Sequence, residues 1–216
     1  RRNHSYFSER GFSNRQKNGV KISGEIEISR GTIKTGVIME YSFKSTTILG
    51  VRIGNKIALG GDGQVTMGDI QMKSKAIKVR SFYNGEVLAG FAGAAADAMA
   101  LFEKFECKLD EMNGNLQRAV VDLAKDWRTD KILKELDALL AIMDKKNSYL
   151  LSGSGDVIEP DDQIITIGSG SGYALAAARA FISAGEKNPE KVVKKSLKIT
   201  SDICIYTNDS ITVLKA

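Results

Sequence analysis

A threonine pair, Thr46-Thr47, begins the first strongly apolar and β-branched segment of the chain, and Asp62 and Lys78 follow it. A threonine hydroxyl becomes a good nucleophile only beside a base that takes its proton. The chain has 216 residues and a single histidine, His4, so residues 46–216 contain none. A base that works near neutral pH in that segment must therefore be a lysine, a perturbed carboxylate or a free α-amine.

A free α-amine becomes available to Thr46 if the peptide bond after Ser45 is cleaved. Such an amine has a pKa of about 7.7–8.0 and lies beside the threonine hydroxyl. The composition also changes here, because residues 1–45 carry nine Lys or Arg and four Glu, whereas residues 46–216 carry 22 basic and 22 acidic side chains. We therefore expect a removable leader over residues 1–45 and one domain over residues 46–216.

Spacing alone also allows a plainer interpretation of the same residues. The threonines then simply begin a strand, Asp62 occupies a turn in which aspartate is favoured, and Lys78 is a solvated charge. The histidine-free segment and the compositional change favour the catalytic interpretation.

Composition excludes several classes of function. The formal charge of +5 comes from the leader, so the domain has no basic excess that would indicate nucleic-acid binding. We find no apolar run of the ~18 residues that a membrane-spanning helix needs, so we expect no membrane partner. Cys107 and Cys204 lack a paired spacing, which argues against a disulfide scaffold and favours a reducing compartment. Without histidine, a Ser-His-Asp triad and a histidine-ligated metal are also excluded from the domain.

The sequence GSGSG at 168–172 could present backbone N–H groups to a phosphate, since it leads from a predicted strand into a predicted helix. The dinucleotide-binding pattern, however, requires a glycine where Tyr173 stands, and a Walker A loop requires a Gly-Lys pair that the chain lacks. A structural turn or a substrate-binding loop is the better interpretation.

Alternation of apolar and polar residues predicts the strands, and helical periodicity of apolar residues predicts the helices, that must position these residues. The predicted strands are 46–53, 56–59, 77–82, 87–91, 138–143, 148–151, 164–167, 203–207 and 211–214. The predicted helices contain Ala98–Leu109, a segment capped by Asn115, Tyr173–Ser183 and a segment that begins at Asn188-Pro189-Glu190. We expect GDGQVTMG at 61–68 to be a turn-rich connection and the last two strands to form a hairpin. This order favours antiparallel sheets covered by pairs of helices.

Seven blocks resemble one known family, in the family's order and spacing. They are TTILGVR at 46–52, GGDGQVTMG at 60–68, VLAGFAGAAADA at 87–98, LAKDWRTDK at 123–131, GSGDVIEPDD at 153–162, IGSGSGYALAAARA at 167–180 and SDICIYTN at 201–208. The chain is similar over residues 46–214 to the HslV (ClpQ) family of proteasome β-subunit-like threonine proteases. The resemblance implies an α+β N-terminal nucleophile fold, a four-layer αββα sandwich of antiparallel sheets.

The resemblance also implies a role for each candidate site residue. Thr46 is then the nucleophile that attacks peptide bonds, and its freed α-amine acts as base and acid. Lys78 matches the catalytic lysine, whose charge disfavours protonation of that amine, and Asp62 pairs with Lys78. Ser169 hydrogen-bonds the amine, and Gly93 supplies the oxyanion-hole N–H.

Partners and ions follow from the same resemblance. The family forms two stacked hexameric rings that degrade unfolded polypeptides delivered by an HslU-like AAA+ unfoldase, and only that partner uses ATP. No cofactor takes part in the chemistry. A structural Na⁺ is implied at main-chain carbonyls of Ser201, Cys204 and Thr207, although Ser201 stands where glycine is common in the family.

Two departures from the family leave alternatives open. The segment Ser171-Gly172-Tyr173 stands where many relatives have Gly-Pro-Tyr, and the leader is long for a bacterial member, although Met39 offers an internal start. We expect a bacterial cytoplasmic protein, or a mitochondrial matrix protein if residues 1–38 are a presequence. The rival functions are a non-catalytic ring subunit with an unprocessed leader and an N-terminal nucleophile amidohydrolase acting on a small amide.

Overall fold

The structure is a computed structural model of the chain. It describes residues 46–216, except residues 132, 134, 135 and 137, together with the backbone of five short strands between residues 16 and 41. The chain divides into two compact units, Arg1–Ser42 and Phe43–Ala216.

The described residues of the first unit form five short strands that pair antiparallel. In chain order they are β1 (Gln16–Lys17), β2 (Val20–Ser23), β3 (Ile26–Ser29), β4 (Thr32–Thr35) and β5 (Ile38–Tyr41). They pair in the order β1-β2-β5 and β3-β4. Ser45, where the leader is expected to end, lies outside the described residues, so removal of the leader stays a prediction.

The second unit is built from two antiparallel sheets and a separate hairpin. Its strands are β6 (Thr47–Ile53), β7 (Lys56–Gly61), β8 (Val65–Met67), β9 (Ile70–Lys73), β10 (Val79–Phe82), β11 (Val87–Gly93), β12 (Ala138–Met143), β13 (Ser148–Ser152), β14 (Val157–Ile158), β15 (Ile164–Gly168) and β16 (Thr212–Lys215). One sheet has the order β10-β11-β12-β13-β14, and the other has the order β15-β6-β7-β16. Within the part of the chain that the structure describes, strands β8 and β9 pair only with each other.

The described residues of this unit form four α-helices: α1 (Ala95–Glu111), α2 (Leu116–Thr129), α3 (Ser171–Ser183) and α4 (Pro189–Ile203). The caps predicted for two of them are confirmed. The Asn115 side chain accepts a hydrogen bond from the N–H of Arg118, and the Asn188 side chain accepts from the N–H groups of Glu190 and Lys191. These bonds satisfy donors that a helix start leaves unpaired. Among the described residues, no helix has the length and apolar character to cross a bilayer.

The elements stack in four layers. Helices α1 and α2 share one apolar core with the five-stranded sheet, and α3 and α4 share another with the four-stranded sheet. A third core lies between the two sheets. Alternation along β6 shows how one strand serves two cores, since Ile48 packs between the sheets and Leu49 packs toward α3 and α4. The predicted αββα sandwich is confirmed.

Glycines let the two sheets approach closely near the candidate site. A Cβ added at Gly90 of β11 would lie 2.8 Å from a side-chain carbon of Ile48, which belongs to β6 in the other sheet. Such a separation is too short for two carbon atoms that are not bonded to each other. The approach brings the start of β6, after Thr46, near the end of β11, at Gly93.

The structure differs from the sequence predictions for this unit at three places. The GDGQVTMG segment forms β8 and leads into β9, and Val157–Ile158 adds an edge strand that was not predicted. Residues 203–207 are not a strand, because α4 continues through Ile203 and the next carbonyls serve other bonds. The carbonyl of Ile205, for example, accepts from the side chain of Gln64. Strand β16 therefore pairs with β7 and not with a neighbouring hairpin strand.

Candidate active site

Thr46 lies immediately before β6 and is only 4% exposed. Its carbonyl accepts a hydrogen bond from the N–H of Ser169, with an N to O distance of 2.9 Å. This contact requires glycine at position 168, where φ is +92° and an added Cβ would lie 1.9 Å from the Thr46 carbonyl oxygen. The glycine-rich turn thus holds the start of β6 in place, in keeping with the structural interpretation of GSGSG.

Thr47 also holds the start of β6 in place, through its N–H and its hydroxyl. Its N–H donates to Asp62 Oδ1 at 2.8 Å, and its hydroxyl accepts from the N–H of Gly170 at 3.0 Å. The Thr47 and Thr207 hydroxyls also share a hydrogen bond of 2.7 Å. Because these contacts use the backbone and side chain of Thr47, its neighbour Thr46 is fixed in position.

Lys78 and Asp62 form a buried ion pair. Lys78 Nζ lies 3.1 Å from Asp62 Oδ1, and their side chains are 3% and 0% exposed. Lys78 Nζ also donates to the carbonyl of Gln64. Asp62 Oδ2 accepts from the N–H groups of Gln64 at 2.8 Å and Asn208 at 3.4 Å. The carboxylate is therefore satisfied on both oxygens, which a charge removed from water requires.

Burial and charge act in opposite directions on Lys78. Burial lowers the pKa of its ammonium below the ordinary value of 10.5, whereas the charge of Asp62 and the hydrogen bond to it raise that pKa. Burial is the larger effect. Asp62 therefore offsets part of a desolvation cost that would otherwise favour a neutral lysine.

A cavity of about 630 Å³ opens beside these residues. Thr46, Lys78 and Gly93 all line it. The remaining lining is mostly apolar and comprises Val65, Thr66, Lys73, Ala76, Ile77, Val79, Arg80, Ala94, Phe91, Met99 and Phe102. Gly93 has a φ of +143°, a backbone conformation that residues other than glycine rarely adopt. The cavity therefore has room for a substrate group beside Thr46, Lys78 and Gly93.

The other predicted site residues lie at two places. Ser169 is exposed, and its backbone N–H contacts the Thr46 carbonyl. Ser201 lies in the last turn of α4, Cys204 follows that helix directly, and Thr207 lies in the loop beyond it. The N–H of Thr207 donates to the Cys204 carbonyl at 3.0 Å. Among the described residues, no cluster of His, Cys, Asp or Glu could hold a metal ion.

Sequence reasoning missed two residues that contact the ion pair, Gln64 and Asn208. Gln64 bonds both Asp62 and Lys78 through its backbone. The Asn208 side chain accepts from the N–H of Gly63 at 3.1 Å, and its amide donates to the carbonyl of Ser74 at 2.9 Å. Both residues stand in blocks that carry the family resemblance. For Gln64, its place two residues after Asp62 is a local signal that could have identified it.

The chain is similar in sequence and in structure to known proteins. The family model described as "Proteasome subunit" matches residues 42–216. The solved structure of eukaryotic HslV from Trypanosoma brucei is 43% identical, with a TM-score of 0.74, and the match covers 78% of this chain and 98% of that one.

Two further solved structures are similar in fold. Thiobacillus denitrificans BPH is 18% identical, with a TM-score of 0.62, over 79% of this chain and 97% of that chain. The same protein in complex with epoxomicin is 19% identical, with a TM-score of 0.64 and the same coverage.

We expect Asp62→Asn to lower the pKa of Lys78 further, because the substitution removes the charge that raises it. A lysine in the unfolded chain titrates near pH 10.4, so between the two pKa values the unfolded state binds more protons than the folded state. The free energy of unfolding should therefore decrease as the pH falls from ~10.4 to the pKa of the buried Lys78. In the variant this decrease should continue to a lower pH, with a total cost of about 3–5 kcal/mol near neutrality.

Urea unfolding at a series of pH values measures this effect. Asp69→Asn is the matched control, because Asp69 is exposed. Adding Lys78→Met to the variant should abolish the extended pH dependence. Identical pH profiles for Asp62→Asn and the unaltered chain would contradict the assignment.

Proposed function

The chain belongs to the proteasome subunit family as an HslV-type β-like subunit, and from this premise we propose that it is the proteolytic core of an ATP-dependent protease with Thr46 as nucleophile. The observation that carries the proposal is that Thr46, Lys78 and Gly93 line one cavity while Lys78 is paired with Asp62. Acyl transfer requires an activated nucleophile and donors that stabilise the oxyanion, roles that Thr46 and the Gly93 backbone take in this proposal.

The reaction begins with cleavage of the Ser45–Thr46 peptide bond. The nitrogen of a peptide bond is not basic, whereas the α-amine that cleavage releases has a pKa of about 7.7–8.0. Because residues 46–216 contain no histidine, this amine is the natural base for the Thr46 hydroxyl. The unprocessed chain is accordingly a zymogen.

Peptide hydrolysis then proceeds through an ester. The Thr46 oxygen attacks the carbonyl carbon of the substrate, and the hydroxyl proton passes to the α-amine. The carbon–nitrogen bond breaks, and the amine returns the proton to the leaving nitrogen. Water then attacks the ester by the same proton path, which releases the acid and restores the threonine hydroxyl.

The remaining residues support these steps. The positive charge of Lys78 lowers the pKa of the nearby amine and so keeps more of it unprotonated. The backbone N–H of Gly93 stabilises the oxyanion, and the loss of one such donor typically reduces the rate by ~10²-fold or more. Ser169, which lies in the turn that holds Thr46, hydrogen-bonds the amine.

The active sites work inside two stacked hexameric rings, and an HslU-like AAA+ unfoldase supplies unfolded polypeptide. Support comes from the 43% identity to HslV and from the absence of any Gly-Lys pair with which this sequence could form a Walker A loop. ATP is therefore hydrolysed by the partner. Enclosure in a chamber restricts an unselective peptidase to chains that have been threaded into it.

A monovalent cation, Na⁺ in the first instance, binds the main-chain carbonyls of Ser201, Cys204 and Thr207. Carbonyls at the end of a helix carry partial negative charge, as those at the end of α4 do. The Cys204 carbonyl accepts one hydrogen bond and retains a second lone pair for a cation. The donor set therefore fits a hard, singly charged ion.

We expect Thr46→Ala to reduce peptidase activity to below about one-thousandth, because both the nucleophile and its proton transfer are lost. Turnover of a fluorogenic peptide measures activity, and intact mass shows whether the chain begins at Thr46. Thr129→Ala, at an exposed threonine, is the matched control.

Assembly of Thr46→Ala should remain unchanged by size-exclusion chromatography. Retained activity in this variant would overturn the mechanism. An intact leader in the unaltered protein, with no activity and no labelling by a peptide epoxyketone, would instead establish the non-catalytic ring subunit.

We expect degradation of a stably folded protein only when an HslU-like unfoldase and hydrolysable ATP are both present. Small peptides need no unfolding, so their hydrolysis should not depend on ATP hydrolysis. Gel analysis of a folded substrate measures the difference, and a non-hydrolysable ATP analogue is the control. Degradation of the folded protein by this chain alone would contradict the proposed partnership.

We expect replacement of Na⁺ by choline at equal ionic strength to lower the melting temperature and the peptidase activity. A ligand present at 100 times its Kd stabilises the folded state by about 2.7 kcal/mol. Thermal unfolding measures the effect, and Ser201→Gly should keep it, since that variant retains the carbonyl. An unchanged melting temperature between the two salts would refute the cation site.

A further inference from the structure

Gln64 contacts both members of the buried ion pair through its backbone. It lies between β7 and β8 and is only 6% exposed. Its N–H donates to Asp62 Oδ2 at 2.8 Å, and its carbonyl accepts from Lys78 Nζ. The Gln64 carbonyl and Asp62 together therefore hold the lysine ammonium.

The side chain of Gln64 fixes that backbone from two further directions. Its amide nitrogen donates to Thr66 Oγ1 at 3.0 Å and to the carbonyl of Ile205 at 2.9 Å. Ile205 lies 141 residues further along the chain, in the loop after α4. An amide nitrogen has two hydrogens, and each has a partner here. The side chain thus links the Lys78 acceptor to β8 and to the loop after α4.

The backbone around Gln64 needs such an anchor. Gly63 precedes it, and a Cβ there would lie 2.5 Å from the carbonyl oxygen of Ser74. A glycine is required for this close approach, but glycine also leaves the backbone free to take many conformations. The Gln64 side chain removes that freedom at the next residue.

We propose that Gln64 is a positioning residue for the reaction at Thr46: its side-chain amide holds in place the carbonyl that binds Lys78 Nζ, and so sets the separation between the lysine charge and the Thr46 α-amine. This inference rests on the proposed function. Gln64 itself does not touch the reacting atoms and acts through Lys78.

The proposal has a consequence for the pH dependence of the reaction. A positive charge lowers the pKa of a neighbouring amine, and this effect weakens as the charge moves away. If the Gln64 anchor is lost, Lys78 moves more freely and the pKa of the Thr46 α-amine rises toward its ordinary value. A higher pH is then needed to obtain the unprotonated base.

Gln64→Met in the full chain tests the proposal, because methionine has nearly the same length but no N–H donors. Labelling by a peptide epoxyketone counts competent sites, and turnover is then measured per labelled site across the pH range. We expect kcat to fall roughly tenfold or more, given the ~10²–10⁴-fold that proton transfer contributes. KM should stay within about twofold, and the acidic limb of kcat/KM should move upward by on the order of half a pH unit.

Gln117→Met is the matched control, since Gln117 is an exposed glutamine on α2, and it should leave all of these values unchanged. If Gln64→Met does not fold, Gln64→Asn replaces it, because asparagine keeps the amide but is one methylene too short to reach both acceptors. Failure of both variants to fold would mark Gln64 as a purely structural residue and overturn the proposal.

The outcomes separate this inference from the proposed function. An active, labelled wild type together with an unshifted acidic limb in Gln64→Met overturns the positioning role alone, even if the variant is less stable. A wild type that is neither active nor labelled overturns both. A shifted limb with a preserved KM supports both.

Discussion

A lysine and an aspartate held out of water are the constraint on which the site depends. Removing each ion from water costs several kcal/mol, which mutual attraction offsets only when further hydrogen bonds satisfy the charges. Asp62 receives these bonds from Lys78, Thr47, Gln64 and Asn208. The four donors come from separate parts of the chain. The ion pair is therefore fully hydrogen-bonded only in the folded arrangement, where the four-stranded sheet and the loop after α4 meet around it.

Local structure could be predicted from the sequence wherever a few neighbouring residues determine it. Gly54-Asn55 predicts the β6–β7 hairpin, which forms with Gly54 at a φ of +59°. Asn188-Pro189-Glu190 predicts the start of α4. The predicted strand over residues 203–207 is wrong. The apolar residues there have high β-propensity, but distant contacts determine the backbone conformation, such as the bond from Gln64 to the Ile205 carbonyl.

The same difference between local and distant determinants applies to the residues of the candidate site. The absence of histidine after residue 4 narrows the choice of base without any structure, and the family resemblance supplies the remaining candidates. The side-chain bond of Gln64 to the Ile205 carbonyl and the bond of Asn208 to Asp62 could not be predicted from local spacing, since these partners lie 141 and 146 residues apart in sequence. Nothing in local spacing indicates that a glutamine after a turn contacts a helix-terminal loop. Such contacts become visible only when the chain is folded.

The geometry around Thr46 also bears on how the proposed cleavage before Thr46 would activate the protein without disturbing the site. The hydrogen bonds described for the Thr46 carbonyl and for Thr47 involve only atoms on the carboxyl side of the Ser45–Thr46 bond. Cutting that bond therefore leaves these anchors intact. What changes is the nitrogen of Thr46, which turns from a non-basic amide into an amine with a pKa near neutrality. Activation in this scheme needs no rearrangement of the ion pair, because the cavity, Lys78 and Gly93 are already assembled around the threonine.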